Sequence, residues 1–270
     1  MKPFIGIAVA ALLLPACAGP QTLSQDRIAA IVSAPDRAEA DRINDVRRKP
    51  ADMLAFIGVR PGSTALDVSA ARGYTTELIA RAVGPNGKVY GQNRPPRIDG
   101  AAPPPPPAQP EGNAAPVPAR PATAPAPTLA ERARNPATSN IVPVQRSFED
   151  PAPPEAANAA LDLVTLMYNY HDFGHMGVDR AKLNAAVFRA LKPGGVYVIA
   201  DHSGRSGTGI SEAGTLHRVE EAFVVREVEA AGFRLAGVGN FMRNPADPRD
   251  RNTPEPPMPK DEFVLKFVKP

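Results

Sequence analysis

A chain of 270 residues with 43% hydrophobic content can bury a core of ordinary size, as one domain with additions or as two small ones. Its 31 basic and 28 acidic residues leave a net charge of +3, and the basic residues stand beside acids rather than in a stripe with aromatics, which argues against nucleic acid as a partner. A single cysteine excludes an internal disulfide, and 33 prolines far exceed ordinary usage.

At the N-terminus, Lys2 precedes an apolar run over residues 4–14 that is too short to span a bilayer. Small residues follow, so residues 1–18 read as an export signal. Leu14-Pro15-Ala16-Cys17 resembles a bacterial lipobox, which would make Cys17 a lipidated N-terminus, whereas Ala16-x-Ala18 reads as an ordinary cleavage site. Either route implies an exported protein, periplasmic or lipid-anchored, that meets a membrane only through Cys17. Residues 19–63 read as an N-terminal helical segment. A surface helix over 36–49 has acids early and basic residues late and is stopped by Pro50; a short apolar helix over 52–57 and a Pro61-Gly62 turn follow.

Residues 64–68 read as a strand and 74–83 as a helix burying Leu78, Ile79, Ala82 and Val83, after which a Gly-Pro-Asn-Gly turn leads to a strand over 88–92. Residues 94–137 form a Pro/Ala-rich insertion. From Pro95 to Pro136 there are 14 prolines in 42 residues and no apolar periodicity, so disorder or an extended polyproline form is expected. Order returns with a strand over 141–145 and another over 161–167, apolar throughout as in a strand buried on both faces. A helix over 179–191 closes at Lys192-Pro193-Gly194-Gly195 and leads into a strand over 196–200. A helix over 216–231 ends at Gly232, and strands over 233–239 and 262–268 complete the chain. Strands alternating with helices imply a Rossmann-like α/β domain over 64–270. Its three α/β/α layers hold a seven-stranded, mostly parallel sheet with an antiparallel terminal hairpin.

This element order resembles the class I S-adenosylmethionine-dependent methyltransferases over residues 64–269, the insertion excepted. The resemblance rests on Pro61-Gly62 before the first strand, Asp67 closing it, Gly84-x-x-Gly87-Lys88-Val89, and Leu191-Lys192-Pro193-Gly194-Gly195 before a strand ending in Asp201. More narrowly, the pattern RxxDxxRKP over 42–50, Tyr170-His171-Asp172, and the run from Thr215 to Glu220 resemble a bacterial group of predicted methyltransferases, many of them exported. The resemblance implies S-adenosyl-L-methionine as cofactor, bound where the loop from Asp67 to Gly73 meets the carboxyl ends of the strands, but no particular substrate; a small molecule rather than a protein is expected. Gly73 matches the family's last loop glycine, while Ser69 and Ala71 stand where the other two are expected. Asn93 stands where the family carries a ribose-binding acid, and Glu149 or Asp150 falls near the adenine position. At the substrate mouth His171 is the expected base, Asp172 its orienter and Tyr170 a wall, with His217 in reach.

Two readings from other classes accompany this one. The altered loop, Asn93 and the export signal together fit a non-catalytic exported binding protein on a degenerate methyltransferase fold. His171, His175 and His202 could instead serve a metal-assisted hydrolase. However, Gly174 lies between the first pair and no Glu follows His171, so the spacing departs from a helical zinc motif and no residue is assigned to a metal. Neither GxSxG nor GxGxxG occurs, which argues against acyl-enzyme and dehydrogenase chemistry.

Overall fold

A computed structural model describes residues 22–95, 124–252 and 258–270. The expected export signal with Cys17, and most of the proline-rich insertion, lie outside the described residues. Seven strands form one sheet: β1 (Thr64–Val68), β2 (Lys88–Asn93), β3 (Ile141–Gln145), β4 (Leu161–Met167), β5 (Leu191–His202), β6 (Arg234–Gly239) and β7 (Glu262–Val268). Their order is β3-β2-β1-β4-β5-β7-β6. Only β7 runs antiparallel to its neighbours, so the terminal hairpin closes an otherwise parallel sheet.

Before the first strand lie α1 (Gln25–Val32), α2 (Glu39–Arg48) and α3 (Pro50–Ile57); α4 (Tyr74–Val83) and α5 (Leu129–Arg134) follow β1 and β2. Beyond β4 come α6 (Arg180–Ala190), α7 (Ala213–Leu216) and α8 (Glu221–Ala230). Strand side chains alternate between two faces, and the core divides accordingly. On one face Ile28, Leu54, Ile79 and Leu129 pack against Ala65, Leu163 and Val198. On the other, Leu183, Val187, Val224 and Val228 pack against Leu66, Val164 and Ile199.

Three expectations change. The helix expected over 216–231 is broken: α7 ends at Leu216, His217 takes φ +50°, Val219 bridges Ser203, and α8 begins only at Glu221. The cause is Arg218, fully buried, whose guanidinium donates to both oxygens of Asp247 (2.8 and 3.1 Å), to Ser203 O (3.0 Å) and to Arg251 O (3.1 Å). A buried charge needs that set of partners, and a continuous helix would carry Arg218 away from them. Second, β5 starts at Leu191, which pairs with Leu161, so the expected stop at Lys192-Pro193-Gly194-Gly195 lies inside an irregular strand start. Third, the insertion expected over 94–137 is ordered at its end. There α5 is opened by a capping box in which Thr128 and Glu131 satisfy each other's backbone N–H groups.

Candidate functional site at the carboxyl edge of the sheet

The loop after β1 keeps a glycine-loop backbone with one glycine. Ser69 (φ 56°), Ala71 (φ 49°) and Gly73 (φ 86°) are all left-handed, and each non-glycine there costs roughly 1–2 kcal/mol. Two amides from the end of β2 offset this. Ser69 N–H donates to Gln92 Oε1 (3.0 Å) and Ala70 N–H to Gln92 O (2.8 Å). Ala71 N–H donates to Asn93 Oδ1 (2.8 Å) while Asn93 Nδ2 donates back to Ala71 O (2.9 Å). An amide both accepts and donates, so Asn93 can clasp both backbone groups of one residue, which an acid could not. The side chain expected to meet a ribose is therefore committed to the loop.

Gly73 caps α4, and a Cβ on it would meet Leu129 Cδ2 at 2.6 Å, so α5 packs directly on the loop. Asp67, almost wholly buried, accepts hydroxyl hydrogens from Thr76 (2.6 Å) and Thr165 (2.7 Å), and burial pushes its pKa up to about 6. Its two oxygens face the threonines rather than open space. Beyond β3, Asp150 is engaged by Arg146 and by Arg189 (3.1 Å), whereas Glu149 shows no hydrogen bond or ion pair among the described residues.

The loop after β4 has a different character. His171 is buried, with Nδ1 2.6 Å from Asp201 Oδ1 and its own N–H donating to Asp201 Oδ2 (2.8 Å). Its Nε2 lies 3.1 Å from Asp172 Oδ1 without the alignment of a hydrogen bond. Burial works against the imidazolium, but the Asp201 charge, the bond to Asp201 and the nearby Asp172 carboxylate outweigh it and raise the pKa to about 10. With both nitrogens facing carboxylates and almost no exposure, His171 is out of reach of a substrate, contrary to its expected role as base. Burial would raise the Asp172 pKa, but the close imidazoles of His171, His217 and His175 outweigh it and lower the value to about 2.

Tyr170 is not a wall of the mouth either. It is fully buried, donating to Glu227 Oε2 (2.8 Å) and accepting from Asn184 (3.0 Å), on the side of α6 and α8. His217, placed by its left-handed backbone, brings Nδ1 to 3.1 Å from Asp172 Oδ1, and burial holds its pKa below the ordinary imidazole value. The fold thus gathers all four histidines in single file. The rings run from His202 through His171 and His217 to His175, with centroids 5.5, 5.5 and 5.8 Å apart.

The N-terminal helices reach the same edge. Asp45 of α2 accepts two bonds from Arg37 (2.7 and 2.8 Å) and one from Tyr74 Oη (2.7 Å), tying α2 to the start of α4. Arg48 then lies 4.0 Å over the Tyr168 ring and 5.8 Å from the ring of Tyr74. Burial lowers its pKa, and among the described residues it forms no hydrogen bond or ion pair. Beneath it an apolar cavity of about 20 Å³ is bounded by Met53, Leu54, Leu78 and Met167. Arg48 and Tyr168 were not among the residues expected at the site. The signal that could have found Arg48 is the RxxDxxRKP pattern, in which it holds the second arginine.

No protein-family model and no curated protein matches the chain. Solved structures do. A SAM-dependent methyltransferase from Aquifex aeolicus is 16% identical and superposes with a TM-score of 0.56, over 92% of this chain and 100% of that one. A chain from the complex between the Haloferax volcanii Trm112 methyltransferase activator and a candidate methyltransferase is 15% identical with a TM-score of 0.51, over 92% and 100%. At such identities the likeness is one of architecture, and with the observed strand order it is sufficient for that: the chain has the class I S-adenosylmethionine-dependent methyltransferase fold.

Proposed function

We propose that the protein binds S-adenosylmethionine at the carboxyl edge of β1 and β4 and transfers its methyl group to a small molecule. The observation that carries this reading is Arg48. Its guanidinium, half-buried, sits on the aromatic rings of Tyr168 and Tyr74 beside the loop after β1 and forms no hydrogen bond or ion pair among the described residues. The carboxylate at the amino-acid end of the cofactor is an anion its free donors can hold, through two parallel bonds. The amino-acid end therefore fits. The nucleoside end relies on less: Asn93 is committed to Ala71, and Glu149 remains as a free acceptor after β3.

When bound, the cofactor supplies a methyl group already activated on a positively charged sulfur. The chain's part is then alignment and exclusion of water, which can contribute most of the acceleration. The substrate side is bordered by His217 and His175, the two histidines that keep some exposure.

Calorimetric titration with S-adenosylmethionine, and separately with its demethylated product, tests the reading. Micromolar binding of both, weakened at least tenfold by Arg48→Gln in a variant that still melts cooperatively, is the expected result. The closed hydrogen bonding of the loop after β1 favours the second reading, a non-catalytic binding protein. No heat at millimolar ligand from a folded chain would overturn the first reading and leave the second.

A further inference from the structure

The loop after β4 places one carboxylate oxygen among three imidazole nitrogens. Asp172 Oδ1 is 3.1 Å from His171 Nε2, 3.1 Å from His217 Nδ1 and 4.0 Å from His175 Nε2. One ligand atom from each of His171, Asp172 and His217 lies within 4.8 Å of the other two. Four ligands at about 2.0–2.1 Å from a tetrahedral metal lie about 3.3 Å apart. The separations from His171 and His217 are therefore close to those a metal would impose, and the more exposed His175 would move in by less than 1 Å.

We propose that His171 Nε2, Asp172 Oδ1 and His217 Nδ1 form a site for a divalent transition metal of the zinc class, with His175 Nε2 as the fourth ligand. The outer contacts are those a metal-ligating histidine needs. Asp201 takes the Nδ1 side of His171, which leaves Nε2 directed into the cluster, where a metal would replace its proton, and Asp201 is itself fixed by the backbone N–H groups of His171 and His202. Asn169 donates to Asp172 Oδ2 (2.9 Å), leaving Oδ1 to the histidines, and Ser69 Oγ hydrogen-bonds Asn169 in turn.

A second observation points to a ligand independently of this spacing. His171 is 1% exposed, and its Nε2 is buried without a hydrogen-bond partner while aimed at the cluster. A buried polar atom left in that condition is costly, and a coordinate bond would satisfy it. His217 also holds a left-handed backbone that a non-glycine residue adopts at a cost, and that backbone is what sets its ring on Asp172. The side chain of His175 is 39% exposed and provides the route in. Three nitrogens and one oxygen select zinc, cobalt, nickel or copper over magnesium or calcium.

The experiment uses the full chain, free of any histidine tag, stripped with chelator and titrated with Co²⁺ alone. It is therefore independent of whether S-adenosylmethionine binds. One equivalent should produce the visible bands of tetrahedral cobalt, displaced by Zn²⁺ and not by Mg²⁺. Asp172→Asn and His217→Ala should each weaken binding at least tenfold, with cooperative melting as the check on folding. His175→Ala, at an exposed position, should weaken it several-fold. No bands from a folded chain, or bands of unchanged affinity in His175→Ala and His217→Ala, would overturn the site.

Discussion

The loops after β1 and β4 end adjacent parallel strands at one edge of the sheet, yet they use their polar groups in opposite ways. After β1 the backbone N–H groups of Ser69, Ala70 and Ala71 all end on Gln92 or Asn93. Asp67 likewise ends on two threonines. That loop is closed on itself, and its left-handed residues are held by amides where glycine would have reached the shape unaided. After β4, His171 and Asp172 face each other and His217 around groups that no ordinary hydrogen-bond pattern completes. One loop is organised to keep a shape, the other to hold charge. The left-handed shape of the loop after β1 is thus reached with one glycine of three, and the unsatisfied polar groups of this edge gather after β4. The link between the two is Ser69, one of the altered positions, whose hydroxyl reaches Asn169 and through it Asp172.

The largest way to break the first region is at Arg132. Its buried guanidinium donates to both oxygens of Asp41 (2.7 and 3.0 Å), to Glu77, and through Nε to Arg72 O in the loop (2.7 Å). Arg132→Met leaves two buried acids short of a partner, so a loss of about 3–5 kcal/mol is expected in urea unfolding. A loss under about 1 kcal/mol would mean the loop does not depend on that clamp. Asp67 gives a smaller, pH-dependent effect. Its folded pKa is raised from 3.8 to about 6 by burial, so its contribution is fully present below the unfolded value and is lost as pH rises through about 6. Between about pH 4.5 and pH 7 the stability of the natural chain relative to Asp67→Asn should fall by about 2 kcal/mol. A flat difference over that range would show that the two threonines keep the carboxylate ionised.

Much of the framework could be read from the sequence because it is local. The strands over 64–68, 161–167 and 262–268 are apolar runs bounded by turn residues, and the structure ends them at the same positions. The helix over 216–231 misled because the period set by Val224 and Val228 extends back to Leu216. Only the contact between Arg218 and Asp247, 29 residues away, shows why it stops. The six residues of α5 are too few for a period, and proline composition hid them, although the Thr128-x-x-Glu131 capping box was there to be read. At the site, Asn93 was visible as an anomaly, but its partner Ala71 is 22 residues away. The histidine file is assembled from three separate segments, around residues 171–175, 202 and 217. No spacing rule could have foretold that the four rings would meet.

The finest test of the comparison asks whether the Asn93 amide, rather than general packing, holds the left-handed Ala71. Asn93→Ala removes an acceptor and a donor at once, and a loss of about 1–2 kcal/mol is expected. Ala71→Gly alone should be nearly neutral, since relief of the left-handed strain is offset by the greater freedom of glycine in the unfolded chain. The informative quantity is the coupling between them. If the clasp exists to hold a strained alanine, part of its value disappears once the strain is gone. Asn93→Ala should then cost about 0.5–1 kcal/mol less in the Ala71→Gly background. Penalties that add to within about 0.3 kcal/mol would show that the amide contributes only its own two bonds. In that case the shape of the loop would be imposed from elsewhere, with Leu129 against Gly73 the contact to examine.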